Sequence, residues 1–149
     1  MKFLILSRRA ALTVVPSLEI SHAVISITDP DNRKPAQFTI SDFTKDVLYI
    51  KCYDVDKGSA NYFWYPERYK KGAFTKEQAV EILDFMEEVK DDIDTLVVHC
   101  DAGISRSSGV AAALSLIYTG TDKGIFMDKR YTPNMFMYRT ILNIHNKIL

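Results

Sequence analysis

The chain has 149 residues, 47% of them hydrophobic, enough to bury one core and too few to require a second domain, so a single domain over 1–149 is expected. Its 19 Lys+Arg balance 19 Asp+Glu, which excludes a field large enough for nucleic acid and makes any anion site local. Two cysteines, Cys52 and Cys100, without CxxC or Cys/His ligand spacing, exclude a disulfide scaffold and structural zinc and fit a reducing compartment.

The first predicted element is a strand at Lys2–Leu6. The following "SRRAALTVVPSLE" resembles an export leader only superficially, because Phe3–Leu6 is too short and Pro16 and Glu19 precede any cleavage site; it reads as a loop. No apolar run approaches the ~18 residues of a membrane span, so a soluble, cytoplasmic chain with no membrane partner is expected. Strands follow at Ala23–Thr28 and Val47–Cys52, joined through the turn-rich "DPDNRKP".

Lys57–Phe74 reads as a long loop that mixes Tyr62, Phe63, Trp64, Tyr65, Tyr69 and Phe74 with Arg68, Lys70 and Lys71. Such a segment either contacts substrate or packs on itself over a sheet edge. A helix over Thr75–Val89 opens on the capping box "TKEQ" and gathers Ala79, Ile82, Leu83, Phe85 and Met86 on one face. A strand at Thr95–His99, a helix at Ser105–Tyr118 and a helix at Pro133–Lys147 complete the chain. Thr132 is the expected cap of the last helix, with Pro133 in its first position and Met137, Ile141, Ile144 and Ile148 as its core stripe. His22 and His145 have no partner pattern and read as structural. Strands interleaved with helices imply an α/β domain around a central, mostly parallel twisted sheet.

The chemistry concentrates in "TLVVHCDAGISRSS". A buried strand delivers Cys100 to its carboxyl end, the edge where open α/β sheets bind ligands. The loop Asp101, Ala102, Gly103, Ile104, Ser105 then leads to Arg106 at the start of a helix. Successive backbone N–H groups, a glycine free to take unusual torsions and a helix N-terminus converge there on an oxyanion. Arg106 adds a planar fork for two phosphate oxygens, and surroundings of that kind favour a thiolate. A thiolate aimed into a phosphate cradle is a nucleophile for phosphorus. Cys52, in "YIKCYDV", has no such loop after it and reads as core filler.

"HCDAGISRS", His99–Ser107, resembles the HCxxGxxR[ST] signature of the cysteine-based tyrosine and dual-specificity phosphatases, and the likeness extends from "ISHAVISITDP" to the last helix. The resemblance implies Cys100 as nucleophile, Arg106 as phosphate and transition-state clamp, Ser107 as the hydroxyl that helps release the thiolate, and His99 as support for the loop. It implies no metal and no cofactor.

It also places a general acid upstream of the cysteine, after a strand, which selects Asp54 and Asp56 in "CYDVDKG". Aligning "YIKCYD" favours Asp54. Asp101, beside the cradle, would repel a dianion, so its side chain is expected to point outward. The leading partner is a phosphorylated protein or peptide, bearing phosphotyrosine, with phosphoserine and phosphothreonine as further candidates. The alternatives are a phosphoinositide, a nucleotide or an RNA 5′-phosphate, although "DAGIS" lacks the lysines that polyphosphorylated rings favour. A phosphate-binding module without turnover and rhodanese-like sulfur transfer are the readings from other classes.

Overall fold

The computed structural model describes residues 1–31 and 34–148, so the Asn32–Arg33 part of the expected turn lies outside the described residues. Four strands, β1 (Lys2–Ser7), β2 (His22–Thr28), β3 (Thr44–Lys51) and β4 (Thr95–Cys100), form one sheet in the order β1-β4-β2-β3. Every pairing is parallel. β4, last in sequence, inserts between β1 and β2, which delivers Cys100 to the carboxyl edge from the interior of the sheet.

The two central strands, "HAVISIT" and "TLVVHC", are buried along their whole length, as a parallel sheet covered on both faces requires. Alternation sorts their side chains. Ala23, Ile25, Ile27, Leu96 and Val98 face the main core, whereas Val24 and Val97 join a smaller cluster with Val15. The main core is closed by α3 (Lys76–Val89), α4 (Arg106–Thr119) and α6 (Met135–Ile148). The capping box of α3 is present as expected, with Thr75 and Gln78 exchanging hydrogen bonds.

Three local expectations are corrected. The segment after β1 is not a loop: α1 (Arg8–Val14) forms because "RRAAL" has high helix propensity and the Ser7 hydroxyl accepts from the Ala10 amide at 3.1 Å. Pro16 lies in the following 3₁₀ turn, Val15–Ser17, and ends the helix instead of preventing it.

The cap of α6 is Asn134, not Thr132: its side-chain oxygen accepts from the Met137 amide at 3.0 Å, while the Thr132 amide donates to the Ile104 carbonyl. In the predicted stripe, Met137 and Ile141 are buried, whereas Ile148 is 65% exposed at the end of the helix, beyond the reach of the core.

The segment 57–74 holds a 3₁₀ turn at Tyr62–Trp64 and a short helix, α2 (Glu67–Lys71), and it ends on buried Phe74. A further short helix, α5 (Lys123–Phe126), links α4 to α6. Among the described residues, no helix is long and apolar enough to cross a membrane.

Candidate active site

The loop after β4 is fixed by its carbonyls. Asp101 O accepts from the Arg8 amide, Ile104 O from Thr132 N and the Ser108 hydroxyl, and Ser105 O from Gly109 N and Asn134 N. With those oxygens turned to the protein body, the amides of Ala102, Ile104 and Ser105 have no protein acceptor among the described residues. Gly103 has φ +72°, and a Cβ there would approach the Leu6–Ser7 backbone to 2.6 Å, so both torsion and space demand glycine. Its N–H donates to Cys100 Sγ at 3.3 Å.

Cys100 is 3% exposed, and its sulfur also lies 3.1 Å from the Ser107 hydroxyl on the first turn of α4. The partial positive charge of that helix end acts on the same atom. His99, one residue earlier, points to the opposite face of the sheet. Its Nδ1 donates to the Cys100 carbonyl at 3.1 Å, because a carbonyl only accepts, so Nε2 receives the Ser26 hydroxyl at 2.6 Å. Burial pushes the His99 pKa down, which keeps the ring neutral.

Arg106 is 6% exposed and firmly held. Its Nη1 donates to Asp29 Oδ1 and to the Cys52 carbonyl, both at 2.6 Å. Burial opposes its charge, but Cys100 and Asp29 outweigh that cost and the net shift of its pKa is upward. The expectation that Asp101 points outward is overturned: its Oδ2 lies 3.5 Å from Arg106 Nη2, where the guanidinium attracts the carboxylate.

Asp54 sits at the rim. Its Oδ1 accepts from the Ser105 hydroxyl at 2.9 Å and from the Asn134 side-chain amide at 2.8 Å, which ties the strand-end loop to the cysteine loop and to the start of α6. Asp56 is spent on a turn, where its carboxylate accepts from the Gly58 amide at 2.9 Å. Of the two carboxylates, only Asp54 lines the cavity beside Arg106, a space of about 310 Å³ bounded also by Asp29, Tyr53, Tyr65, Pro66 and Tyr69.

The cavity wall is aromatic. Tyr53 and Tyr69 meet edge to face with centroids 4.6 Å apart, and Gly72 permits it, since a Cβ there would lie 2.5 Å from the Tyr53 ring. Asp29, Asn134 and Tyr53 escaped the sequence reading. Asp29 had a usable signal, since it follows β2, the strand beside β4, and so emerges at the same sheet edge. Asn134 and Tyr53 had none, since their positions depend on how α6 and α2 pack.

Cys52 is fully buried, and burial pushes its thiol up to about 12. His22 is buried, held by the Ile20 carbonyl and the Thr44 hydroxyl.

No protein-family model and no curated protein matches the chain at the level of sequence. Solved structures do match. Human DUSP28 is 14% identical, with 98% of this chain and 92% of that chain covered and a TM-score of 0.61. The Cydia pomonella PTP-2 phosphatase is 16% identical over 96% and 85%, with a TM-score of 0.58. PTPMT1 in complex with PI(5)P is 12% identical over 99% and 92%, with a TM-score of 0.53. The fold is that of the cysteine-based phosphatases of the dual-specificity type.

Proposed function

We propose that this chain is a phosphomonoester hydrolase that works through a phosphocysteine, with phosphotyrosine in a protein or peptide as its substrate. The observation that carries the reading is the joint placement of the Cys100 sulfur under the Gly103 amide and Ser107 hydroxyl, Arg106 in the cavity, and Asp54 pinned at the rim.

In the proposed reaction the amides of the loop and the Arg106 guanidinium hold the phosphoryl oxygens, with the long Asp101 contact to Nη2 giving way to the phosphate. Cys100 Sγ forms a bond to phosphorus as the ester P–O bond breaks, and the departing phenolic oxygen takes the proton of Asp54. A water then attacks the phosphocysteine and gives its proton to Asp54, the S–P bond breaks, and the Ser107 O–H donates to the sulfur as it leaves. The fixed donors stabilise charge on the equatorial oxygens in both steps. Asp29 and the Cys52 carbonyl act as positioning groups, since they touch Arg106 and fix its plane. The chain's own donors supply the positive field, so the proposed reaction uses no metal.

The Tyr53, Tyr65 and Tyr69 wall supports an aryl phosphate, because a flat ring packs on it and a phosphoserine side chain does not. PTPMT1 with PI(5)P supplies the competing reading, an inositol phosphate. The test is a panel of phosphotyrosine and phosphoserine peptides, soluble inositol phosphates and 5′-triphosphorylated RNA, with and without EDTA. The expected result is fastest turnover on phosphotyrosine, unchanged by EDTA. Preferential release from an inositol phosphate or RNA would replace the substrate assignment, and no turnover on any member would reject the hydrolase.

A further inference from the structure

We infer that a second pocket, across α2 from the catalytic cavity, is an anion site that holds a phosphoryl or carboxylate group elsewhere on the same phosphopeptide. The inference rests on the hydrolase reading above for the first phosphate. The pocket encloses about 340 Å³ and is lined by Lys57, Lys70, Lys71 and Lys76, with Phe74 and Phe136 among its apolar walls and no acidic residue. In a chain of zero formal net charge, four lysines around one concavity are a local excess.

Two of these lysines are set in place. Lys70 Nζ donates to the Phe63 carbonyl at 3.3 Å and lies 3.6 Å from Glu67; Lys57 lies 5.2 Å over the Phe136 ring. The other two, Lys71 and Lys76, are exposed and form no ion pair among the described residues. A groove further along α3 carries the opposite sign, with Asp46, Glu81, Asp84 and Glu88. The charge is therefore segregated and not merely scattered.

Geometry selects a peptide. Tyr69 lines the catalytic cavity and Lys71 the second pocket. Two helical positions differ by about 200° around the axis, so the pockets flank α2 and are separated by about one helix diameter, ~10 Å. That is wider than the spacing of neighbouring substituents on one inositol ring, and an extended peptide crosses it in about three residues at ~3.3 Å each. Phosphotyrosine followed or preceded at that interval by a second phosphate or a pair of acidic side chains reaches both sites.

The test compares two phosphotyrosine peptides, one carrying a phosphothreonine three residues away and one with neutral flanks, plus a small aryl phosphate. Each is assayed with the wild-type chain and with a variant carrying Lys71→Ala and Lys76→Ala. The wild type is expected to prefer the doubly phosphorylated peptide through KM, and the lysine variant to raise that KM roughly tenfold, with kcat and the aryl phosphate unchanged. The preference should shrink as salt rises.

Binding of the doubly phosphorylated peptide to a Cys100→Ser chain, followed by the fluorescence of the single tryptophan, Trp64, gives a readout that needs no turnover. Failure to hydrolyse the aryl phosphate would reject the hydrolase alone, since the binding comparison still decides the pocket. Equal affinity for both peptides, or a preference that survives the lysine changes, would overturn the second site. So would lysine variants that lose binding to phosphatidylserine vesicles while their peptide KM stays at the wild-type value.

Discussion

Cys52 and Cys100 occupy equivalent places in the architecture and have opposite surroundings. Each stands at the carboxyl end of a parallel strand, β3 or β4, and each is nearly inaccessible, at 0% and 3% exposure. After Cys100 the chain turns at once through Gly103 into α4, bringing an amide and a hydroxyl to within 3.3 Å and 3.1 Å of the sulfur. After Cys52 it runs on through "YDV", and no polar atom among the described residues meets the thiol, whose pKa burial raises to about 12. Only its backbone serves the site, through the carbonyl that receives Arg106. A strand end supplies burial; the loop that follows supplies the polar contacts to the sulfur.

The largest effect on this contrast is expected at Asp54, the proposed acid, in the loop that follows β3. Asp54→Asn should lower kcat/KM on a phosphotyrosine peptide by ~10²–10⁴, with a much smaller loss on an activated aryl phosphate that needs no proton. Asp56→Asn should leave both close to wild type. Were Asp56→Asn to give the leaving-group signature instead, the alignment through "YIKCYD" would be wrong by two residues and Asp56 would be the acid.

Arg106→Lys comes next, with turnover expected to fall by ~10²–10³, the range for removing one preorganised donor from a charged transition state, together with weaker inhibition by vanadate. Unchanged vanadate inhibition would place Arg106 outside the cradle and make the surroundings of the two strand ends more alike.

Cys52→Ser addresses the other side of the comparison. It buries a hydroxyl where no partner stands, so it should cost about 1–3 kcal/mol in denaturant unfolding. Turnover should remain near wild type, because the backbone carbonyl on Arg106 is kept. A loss of turnover without a loss of stability would give Cys52 a chemical role.

The smallest expected effect concerns His99. Burial lowers its pKa, so the folded protein holds the ring neutral while the unfolded chain takes a proton below ~6.5. Stability should be full above that pH and fall as pH drops toward the folded value. A variant with Asn at position 99 should show less of this acid slope.

Much of this was legible in the sequence, for identifiable reasons. The four strands, the three long helices and the cysteine loop all announce themselves through short-range signals: β-branched runs, a capping box, and a Cys–Gly–Arg spacing. The mostly parallel α/β sheet expected from their interleaving is the sheet observed. The segment 57–74 was harder, because α2 has only five residues and no isolated helix of that length is stable. It is held by tertiary contacts such as Tyr53 against Tyr69 and Lys70 over Tyr62. Asp101 was misjudged for a related reason: its orientation depends on Arg106, five residues on, which only the turn of the loop brings within reach. The capping role of Asn134 was hidden because Thr-Pro offered an equally good local cap and the choice was made by Asp54 and Val55, far away in sequence.

Trapping a covalent intermediate decides whether the loop, and not the strand end, makes the nucleophile. The chain is mixed with an aryl phosphate, quenched in acid within one turnover, digested and analysed by mass spectrometry, with Cys100→Ser as the control. The expected result is the added mass of one phosphoryl group on the peptide containing Cys100, none on the peptide containing Cys52, and none on either in the control. Turnover without an adduct on Cys100, or an adduct on Cys52, would contradict it.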